Sequence, residues 1–207
     1  MVPAQWYFDV VSPFAYLHFH TLRPLRDCIE IQPVPVLFAG LLKHWGTKGP
    51  AEVPPKRLHT YQYCVWAASQ LGVPFHMPAR HPFNPLAAQR LLVAVGATDE
   101  MAGKAFTFVY GEGRDPELEL NAFGERLGVA DPLQRTADPQ VKQQLLANTQ
   151  AAAARGVFGV PTLAVGGHLF WGSDTVGWSR AFLDDPALFE RAEYQAAANT
   201  EFGASRV

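Results

Sequence analysis

The sequence predicts an α/β protein in which a four-stranded sheet is split by an all-helical insertion. Three observations carry that prediction. A strand, a helix and a second strand fit within residues 5–36. No strand pattern follows until residue 161. Two short strands then return around Gly166-Gly167, with a last helix behind them.

Taken in order, residues 5–11 read as a buried strand, and 14–26 as a helix with proline in its first turn. Proline is favoured there because its missing N–H has no intrahelical partner to lose. Ile29 to Val36 alternates like a second strand, and Pro33 and Pro35 place it at an edge or a strand end. Strand, crossover and strand in so short a span form a right-handed βαβ unit. Residues 37–57, rich in Gly, Pro and Lys, read as an ordered loop or short helical turns. Leu58 to Leu71 is helical, with Tyr61, Val65, Ala68 and Leu71 on one stripe, and Gly72-Val73-Pro74 ends it. Asn84 is a candidate N-cap for a helix over 86–96. Helices near 99–110, 117–127 and 138–155 follow, each after a cap-like Asp or Thr.

Period 2 then returns. Pro161 to Val165 and His168 to Trp171 pair about the Gly166-Gly167 turn. Gly172-Ser173-Asp174 caps a helix near 175–183, and the Ala-rich tail from about Gln195 is expected to fray. The order β-α-β, helical insertion, α-β-β-α is that of a thioredoxin-like fold of the DsbA type. Residues 1–37 and 138–207 form its thioredoxin-like part, and 38–137 the helical insertion.

Composition narrows the function. The 207 residues are 48% apolar and 17% charged, enough for a sizeable core. A net charge of −2 with no basic block argues against a nucleic-acid surface. No apolar run reaches the roughly 20 residues that span a bilayer, and no signal-peptide pattern opens the chain. Cys28 and Cys64 match no disulfide or metal framework, which fits a reducing cytoplasmic setting. His18, His20, His44, His59, His76, His81 and His168 include no i, i+4 pair and no neighbouring Cys, so no metal is expected.

Four stretches bear on chemistry. Ser12-Pro13-Phe14-Ala15 occupies the strand-to-helix turn where thioredoxin-like proteins carry Cys-x-x-Cys, the first sulfur activated by the helix N-terminus. Here a hydroxyl and a methyl replace both sulfurs, so the address of a redox site remains without its means. Ser12 reads as a helix N-cap, and equally as a hydrogen-bond donor to an anion such as a thiolate brought by a small molecule. The stretch Gly156-Val157-Phe158-Gly159-Val160-Pro161-Thr162 is either a helix stop followed by a strand or a cis-proline segment. A cis-proline is what thioredoxin-like proteins place opposite the active turn, and it would put the Val160 N–H and C=O at the edge of the site. Trp171-Gly172-Ser173-Asp174 is either a plain cap or a clasp for an amino acid zwitterion, carboxylate to N–H and ammonium to Asp174. The loop 45–57 carries Lys48, Lys56 and Arg57, ordinarily solvated charges but placed to bind a ligand carboxylate if it closes over Ser12. Phe14, Phe38, Tyr110 and Trp171 are candidates for an apolar pocket, although most aromatics in any chain are core.

Together these stretches resemble the 2-hydroxychromene-2-carboxylate isomerases and their relatives, the kappa-class glutathione transferases, over nearly the whole chain. Tyr7 to Leu17 is similar to the family's opening motif and Gly156 to Thr162 to its cis-proline motif. Phe170 to Asp174 is similar to its γ-glutamyl-binding turn, and Tyr110-Gly111-Glu112-Gly113 to its insertion-domain marker. The resemblance implies glutathione as cofactor, a small aromatic substrate and a homodimer. It places the glutathione sulfur at Ser12, beside Pro13 and Phe14. The cysteinyl backbone falls on Val160 beside Pro161, the γ-glutamyl end on Ser173 and Asp174, and the glycyl end near Thr47 and Lys56. Phe38, Tyr110 and Trp171 become the substrate pocket. Two positions depart from the family: Thr175 stands where an arginine often follows the Ser-Asp pair, and Tyr110 where the isomerases commonly have tryptophan. The implied reaction is addition of a glutathione thiolate to an unsaturated 2-oxo acid, bond rotation and elimination. A transferase or peroxidase would share this site, and a non-catalytic ligand-binding relative would share the fold.

Overall fold

The computed structural model describes residues 1–203; the end of the tail, 204–207, lies outside the described residues. Strand β1 (Val2–Phe8) leads into helix α1 (Pro13–Thr21), and β2 (Ile29–Pro35) returns parallel to β1 in register from Val2↔Ile29 to Phe8↔Pro35. Helices α2 (Phe38–Trp45), α3 (Pro54–Leu71), α4 (Leu86–Ala94), α5 (Asp99–Phe106), α6 (Leu120–Arg126), α7 (Pro132–Ala137) and α8 (Pro139–Ala154) follow. Strands β3 (Thr162–Val165) and β4 (His168–Trp171) then form an antiparallel hairpin, and α9 (Val176–Asp184) and α10 (Ala192–Ala198) close the chain. The sheet order is β2-β1-β3-β4, with β3 antiparallel to β1. β2 is an edge, which is where Pro33 and Pro35 can lack an N–H without breaking a ladder.

Both faces of the sheet are covered, so its central strands carry no polar face. Ala4, Trp6 and Phe8 of β1 point into a core that continues through α1 and the helical segment to Leu91, Phe106, Phe108, Tyr110 and Phe123. Tyr7 points the other way, into a smaller core with Val36, Leu41, Ala152, Val157 and Val160. The large core therefore runs without interruption from the sheet into the helical segment.

Several boundaries differ from the sequence reading, each for a local reason. β1 stops at Phe8 because the Asp9 carboxylate turns back to accept the Val11 N–H at 3.0 Å. The first helix stops at Thr21 and a separate 3-10 turn covers Arg23–Leu25, since Pro24 cannot extend the α-helical ladder. The stretch 37–57 holds a two-turn helix, α2, ended by Gly46 in the left-handed region. Helix α3 starts at Pro54 and buries Thr60, Cys64 and Ala68, a stripe of small side chains against α1. Of the expected stripe, Ala68 is buried, but Val65 is 55% and Leu71 40% exposed. Helix α7, capped by the Asp131 carboxylate with Pro132 at its first position, was not expected, and the tail forms α10 before it ends. Gly172-Ser173-Asp174 does not cap α9; the Thr175 hydroxyl instead donates to the Gly172 carbonyl at 3.0 Å.

One buried amide holds the sheet open at the end where the site lies. Gln89 on α4 is fully enclosed, and its Nε2 donates to the carbonyls of Phe8 at 3.0 Å and Val36 at 2.8 Å. Its Oε1 accepts from the Val10 N–H at 3.4 Å. These groups sit where β1 and β2 part, at the last ladder pair and just beyond it. The Phe8 carbonyl also accepts from the Val36 N–H at 3.0 Å, whereas the Val36 carbonyl and the Val10 N–H have no other partner among the described residues. Replacing Gln89 by leucine orphans the Val36 carbonyl and the Val10 N–H, each costing roughly 1–3 kcal/mol, while the Phe8 carbonyl keeps the Val36 N–H. Gln89→Leu is expected to lose about 3 kcal/mol or more in urea unfolding, read as a lowered midpoint at unchanged slope.

Candidate functional site

The site is built where β1 becomes α1. Ser12 is the N-cap of α1 with Pro13 at the first helical position, and it is only 6% exposed. Its Oγ accepts from the Ala15 N–H at 3.3 Å, and its backbone carbonyl also accepts from Ala15 and from Tyr16. Because the hydroxyl oxygen accepts within the helix, its hydrogen is left to donate outward. Pro13 has no N–H, so the remaining uncommitted donor of this helix end is the Phe14 N–H. It has no backbone partner among the described residues. The turn thus offers two donors, Ser12 Oγ–H and Phe14 N–H, in the positive field of a helix N-terminus.

Asp9, three residues upstream, is fully buried and ties this turn to its neighbours. One carboxylate oxygen accepts from Val11 and the other from the Phe38 N–H at 2.9 Å, at the start of α2, while its backbone carbonyl accepts from Ser12 at 3.0 Å. Burial pushes its pKa up to about 7, against the opposing pull of the Phe38 and Val11 hydrogen bonds. The Val11 carbonyl in turn accepts from the Tyr110 hydroxyl and from Nε2 of His81, both at 2.7 Å. Asp9, His81 and Gln89 were not singled out from the sequence. A lone carboxylate inside the apolar run Tyr7-Phe8-Asp9-Val10-Val11 was the available signal, because an unpaired buried charge is costly and usually has work to do.

Just before β3, Val160-Pro161 is a cis peptide. Among the described residues neither the N–H nor the C=O of Val160 has a hydrogen-bond partner, although Val160 itself is 6% exposed. Phe38 packs against the same small core as Val160 and donates to Asp9, so the α2 start borders both the cis-proline segment and the Asp9 end of the turn. Trp45 Nε1 donates to the Val157 carbonyl at 2.9 Å, tying the end of α2 to that segment. The indole of Trp171 lies against Gly159, where an added Cβ would come within 2.6 Å of Nε1, and edge-on to Phe158 at 5.1 Å. Trp171 and Phe158 are each about half exposed and form an apolar wall beside Val160.

The remaining sequence-predicted residues are placed as follows. Phe14 is half-buried and packs near Tyr63 at 5.9 Å. Thr47 and Lys56 are exposed, one just after α2 and the other in the first turn of α3. Lys48, Lys56 and Arg57 make no ion pair among the described residues, whereas most other arginines do. The Ser173 carbonyl accepts from the Thr21 hydroxyl at 3.4 Å, at the far end of α1, and Asp174 is exposed. Tyr110 is fully enclosed, stacked on Phe75, and only its hydroxyl reaches the turn. Its ring is a wall of the core and presents no surface to a pocket. Surface grooves of about 650 and 790 Å³ lie elsewhere, and Ser12 lines neither. Among the described residues no three His, Cys, Asp or Glu side chains gather as a metal-ligand set, and no helix is long and apolar enough to cross a membrane.

Comparison with known proteins bears on the fold and the family. The family profile of the DsbA-like thioredoxin domain matches residues 5–183. The chain is 32% identical over 194 residues to human (Homo sapiens) glutathione S-transferase kappa 1, covering 82% of this chain and 85% of that protein. It is 29% identical over 197 residues to 2-hydroxychromene-2-carboxylate isomerase of Sphingobium xenophagum, covering 87% and 97%. A solved 2-hydroxychromene-2-carboxylate isomerase superposes with a TM-score of 0.78 at 24% identity, over 96% of this chain and all of that one.

Two buried titratable groups give the protein a testable pH signature. Native Asp9 holds its proton up to about pH 7, whereas an unfolded aspartate releases it near 3.8, so this group favours the native state increasingly as pH falls between those values. His18 accepts from Trp6 Nε1 at 3.2 Å, and burial lowers its pKa from 6.5 to about 3. The unfolded chain therefore takes up that proton first, and the contribution of His18 is lost as pH falls from 6.5. The two slopes oppose each other between pH 4 and 6.5. Asp9→Asn removes one of them, so its stability deficit relative to the parent should grow as pH falls from 7 to 4. The growth is up to about 4 kcal/mol, at about 1.4 kcal/mol per pH unit. Urea unfolding at several pH values measures this; a deficit independent of pH would show that Asp9 is ionised throughout.

Proposed function

The chain belongs to the DsbA-like thioredoxin domain family, among the kappa-class glutathione transferases and 2-hydroxychromene-2-carboxylate isomerases, and from that premise we propose that it is a glutathione-dependent isomerase. The substrate proposed is 2-hydroxychromene-2-carboxylate or a related unsaturated aromatic 2-oxo acid of aromatic-ring degradation. The observation that carries the reading is the polarity of the Ser12 hydroxyl: it accepts from Ala15 inside the helix and is free to donate outside. A turn with no sulfur of its own but with two donors in a positive field is suited to hold a thiolate delivered by a ligand.

The residues around it fit glutathione. The unpaired N–H and C=O of Val160 suit a peptide backbone laid antiparallel against them. The Ser173-Asp174 turn lies at the far end of α1, about 13 Å from Ser12 by helical rise. Asp174 is exposed and suited to an α-ammonium, and Lys48, Lys56 and Arg57 offer unpaired cations for a carboxylate. Glutathione, when bound, supplies the thiolate nucleophile that adds to the electron-poor carbon and later leaves. The protein's part is to lower the thiol pKa from about 8.5, and Ser12 with the Phe14 N–H does so by stabilising the charged form. Phe38, Phe158 and Trp171 supply the apolar walls for an aromatic acceptor. On this reading residues 1–37 and 138–207 hold glutathione, and the helical part, 38–137, closes over the acceptor.

We also propose a homodimer in a reducing, cytoplasmic setting. Supporting it, α3 is apolar on two faces: beyond its buried stripe, Leu58, Val65 and Trp66 are each more than half exposed. Exposed apolar surface of that kind is a common mark of a partner interface. Trp66→Glu is expected to shift the protein towards monomer in sedimentation velocity, and an unchanged dimer would move the interface elsewhere.

A kappa-class transferase or peroxidase is the second reading, favoured by the 32% identity to the human transferase. Incubation with glutathione and chlorodinitrobenzene, or with a hydroperoxide, separates the two: robust conjugate or alcohol formation would displace the isomerase reading. Ser12→Ala is expected to lower kcat by roughly 10²-fold, the scale of losing one charge-stabilising donor, with the glutathione Kd within about threefold. Loss of the N-cap also costs about 1 kcal/mol in stability. Turnover equal to the parent's would remove Ser12 from the mechanism.

A further inference from the structure

The orientation of Ser12 hangs on one backbone oxygen. The peptide joining Val11 to Ser12 is planar, so its oxygen and its N–H cannot turn independently. Both are held: Ser12 N–H donates to the Asp9 carbonyl at 3.0 Å, and the Val11 oxygen accepts from Tyr110 and His81 at 2.7 Å each. A carbonyl only accepts, so His81 carries its hydrogen on Nε2. Nδ1 then faces the Tyr61 hydroxyl at 2.7 Å, and that hydroxyl also lies 2.9 Å from His81's own carbonyl.

This arrangement tolerates either protonation state of the imidazole. When His81 is neutral, Tyr61 donates to Nδ1. When it is charged, Nδ1 donates to the Tyr61 oxygen and the hydroxyl hydrogen turns to the carbonyl. In both cases Nε2–H stays on Val11 without movement of a heavy atom. The three side chains come from separate parts of the helical segment: Tyr61 from α3, His81 from the connection before α4, and Tyr110 from a single π-helical turn, Thr107–Gly111. Such turns often mark functional positions, and this one aims the Tyr110 hydroxyl at the active turn.

We infer that His81 is a positioning residue: with Tyr110 it clamps the Val11 carbonyl, and through the Val11–Ser12 peptide it sets the direction in which Ser12 donates. The inference rests on the reading of Ser12 as a thiolate donor, but the clamp belongs to the free chain and is measurable there. His81→Phe keeps an aromatic ring against Tyr61 and Phe83, its neighbours at 5.2 and 6.0 Å, and removes the donor. His81→Gln keeps an N–H able to reach Val11.

In the free protein, amide exchange at Ser12 is expected to quicken about tenfold in His81→Phe, the scale of one lost hydrogen bond, and to return to within about threefold of the parent in His81→Gln. With glutathione, His81→Phe should lose about tenfold in kcat and raise the pKa of the bound thiol, read by thiolate absorbance, while Kd changes by less than about threefold. Parental Ser12 exchange in His81→Phe overturns the clamp. A folded His81→Gln as impaired as His81→Phe also overturns it, by pointing to packing alone. If His81→Phe does not fold, Tyr110→Phe deletes the other donor with the ring retained, and the same two outcomes apply to its Ser12 amide. If the parent binds no glutathione, the functional reading fails, while Ser12 exchange still decides the clamp.

Discussion

The buried carboxylate of Asp9 is the constraint on which the rest of this structure depends. It ends β1 by drawing the Val11 N–H back, accepts the first free N–H of α2 at Phe38, and lends its backbone carbonyl to Ser12. One residue thereby fixes where α1 starts, where α2 starts and how the chain between them bends. An apolar residue in its place would leave at least two buried N–H groups without acceptors, a cost larger than the gain from an uncharged core. The carboxylate is retained against its own desolvation, and its raised pKa is the trace of that conflict.

Around this point the sheet and the helical segment act as one solid. The large core runs from Trp6 and Phe8 into Phe106, Phe108 and Phe123 without a seam. Besides Asp9 itself, three polar tethers to the turn come from the helical segment: Gln89 from α4, His81 from the loop before α4, Tyr110 from the π turn. A thioredoxin-like turn normally owes its reactivity to its own two sulfurs and a helix end. Here the sulfurs are missing and the helical segment supplies rigidity instead. A hydroxyl hydrogen on a mobile turn would donate to water as readily as to a ligand. Held by a pinned peptide and committed by Ala15 on its acceptor side, it has one direction left.

Much of this was legible in the sequence, and what was not has common causes. The βαβ opening, the strandless middle and the Gly166-Gly167 hairpin were written in periodicity and turn chemistry, which are local. The edge position of β2 was readable from Pro33 and Pro35, because proline reports on ladder partners. The buried face of α3 was misplaced because that helix has a second apolar face, with Leu58, Val65 and Trp66 exposed on it. Periodicity cannot choose between two apolar faces, and packing against α1 took the one with small side chains. Tyr110 was read as pocket lining for a similar reason: aromatic character says nothing about whether a ring faces ligand or core. The tethers Gln89 and His81 lie more than 50 residues from the groups they hold. Spacing carries no sign of such a contact.

Unpaired backbone and hydroxyl groups are what distinguish a candidate binding cleft from a structural joint. In most of this chain, donors and acceptors are matched; even the stretched turn between β1 and α1 is fully tethered at Asp9, Val10, Val11 and the Ser12 N–H. Beside it, the Ser12 hydroxyl hydrogen, the Phe14 N–H, and the N–H and C=O of Val160 are left over. Three donors and one acceptor make an arrangement that a neutral apolar molecule cannot satisfy. A ligand with one anionic atom for the helix end and a peptide-like donor and acceptor for Val160 satisfies all four. The constraint from Asp9 explains why those leftovers keep fixed relative positions, since α1, α2 and the cis-proline segment are anchored on the same few side chains. Rigid placement of unsatisfied groups is the physical form of preorganisation: the cost of ordering the site is met in folding, and little is left to be paid on binding.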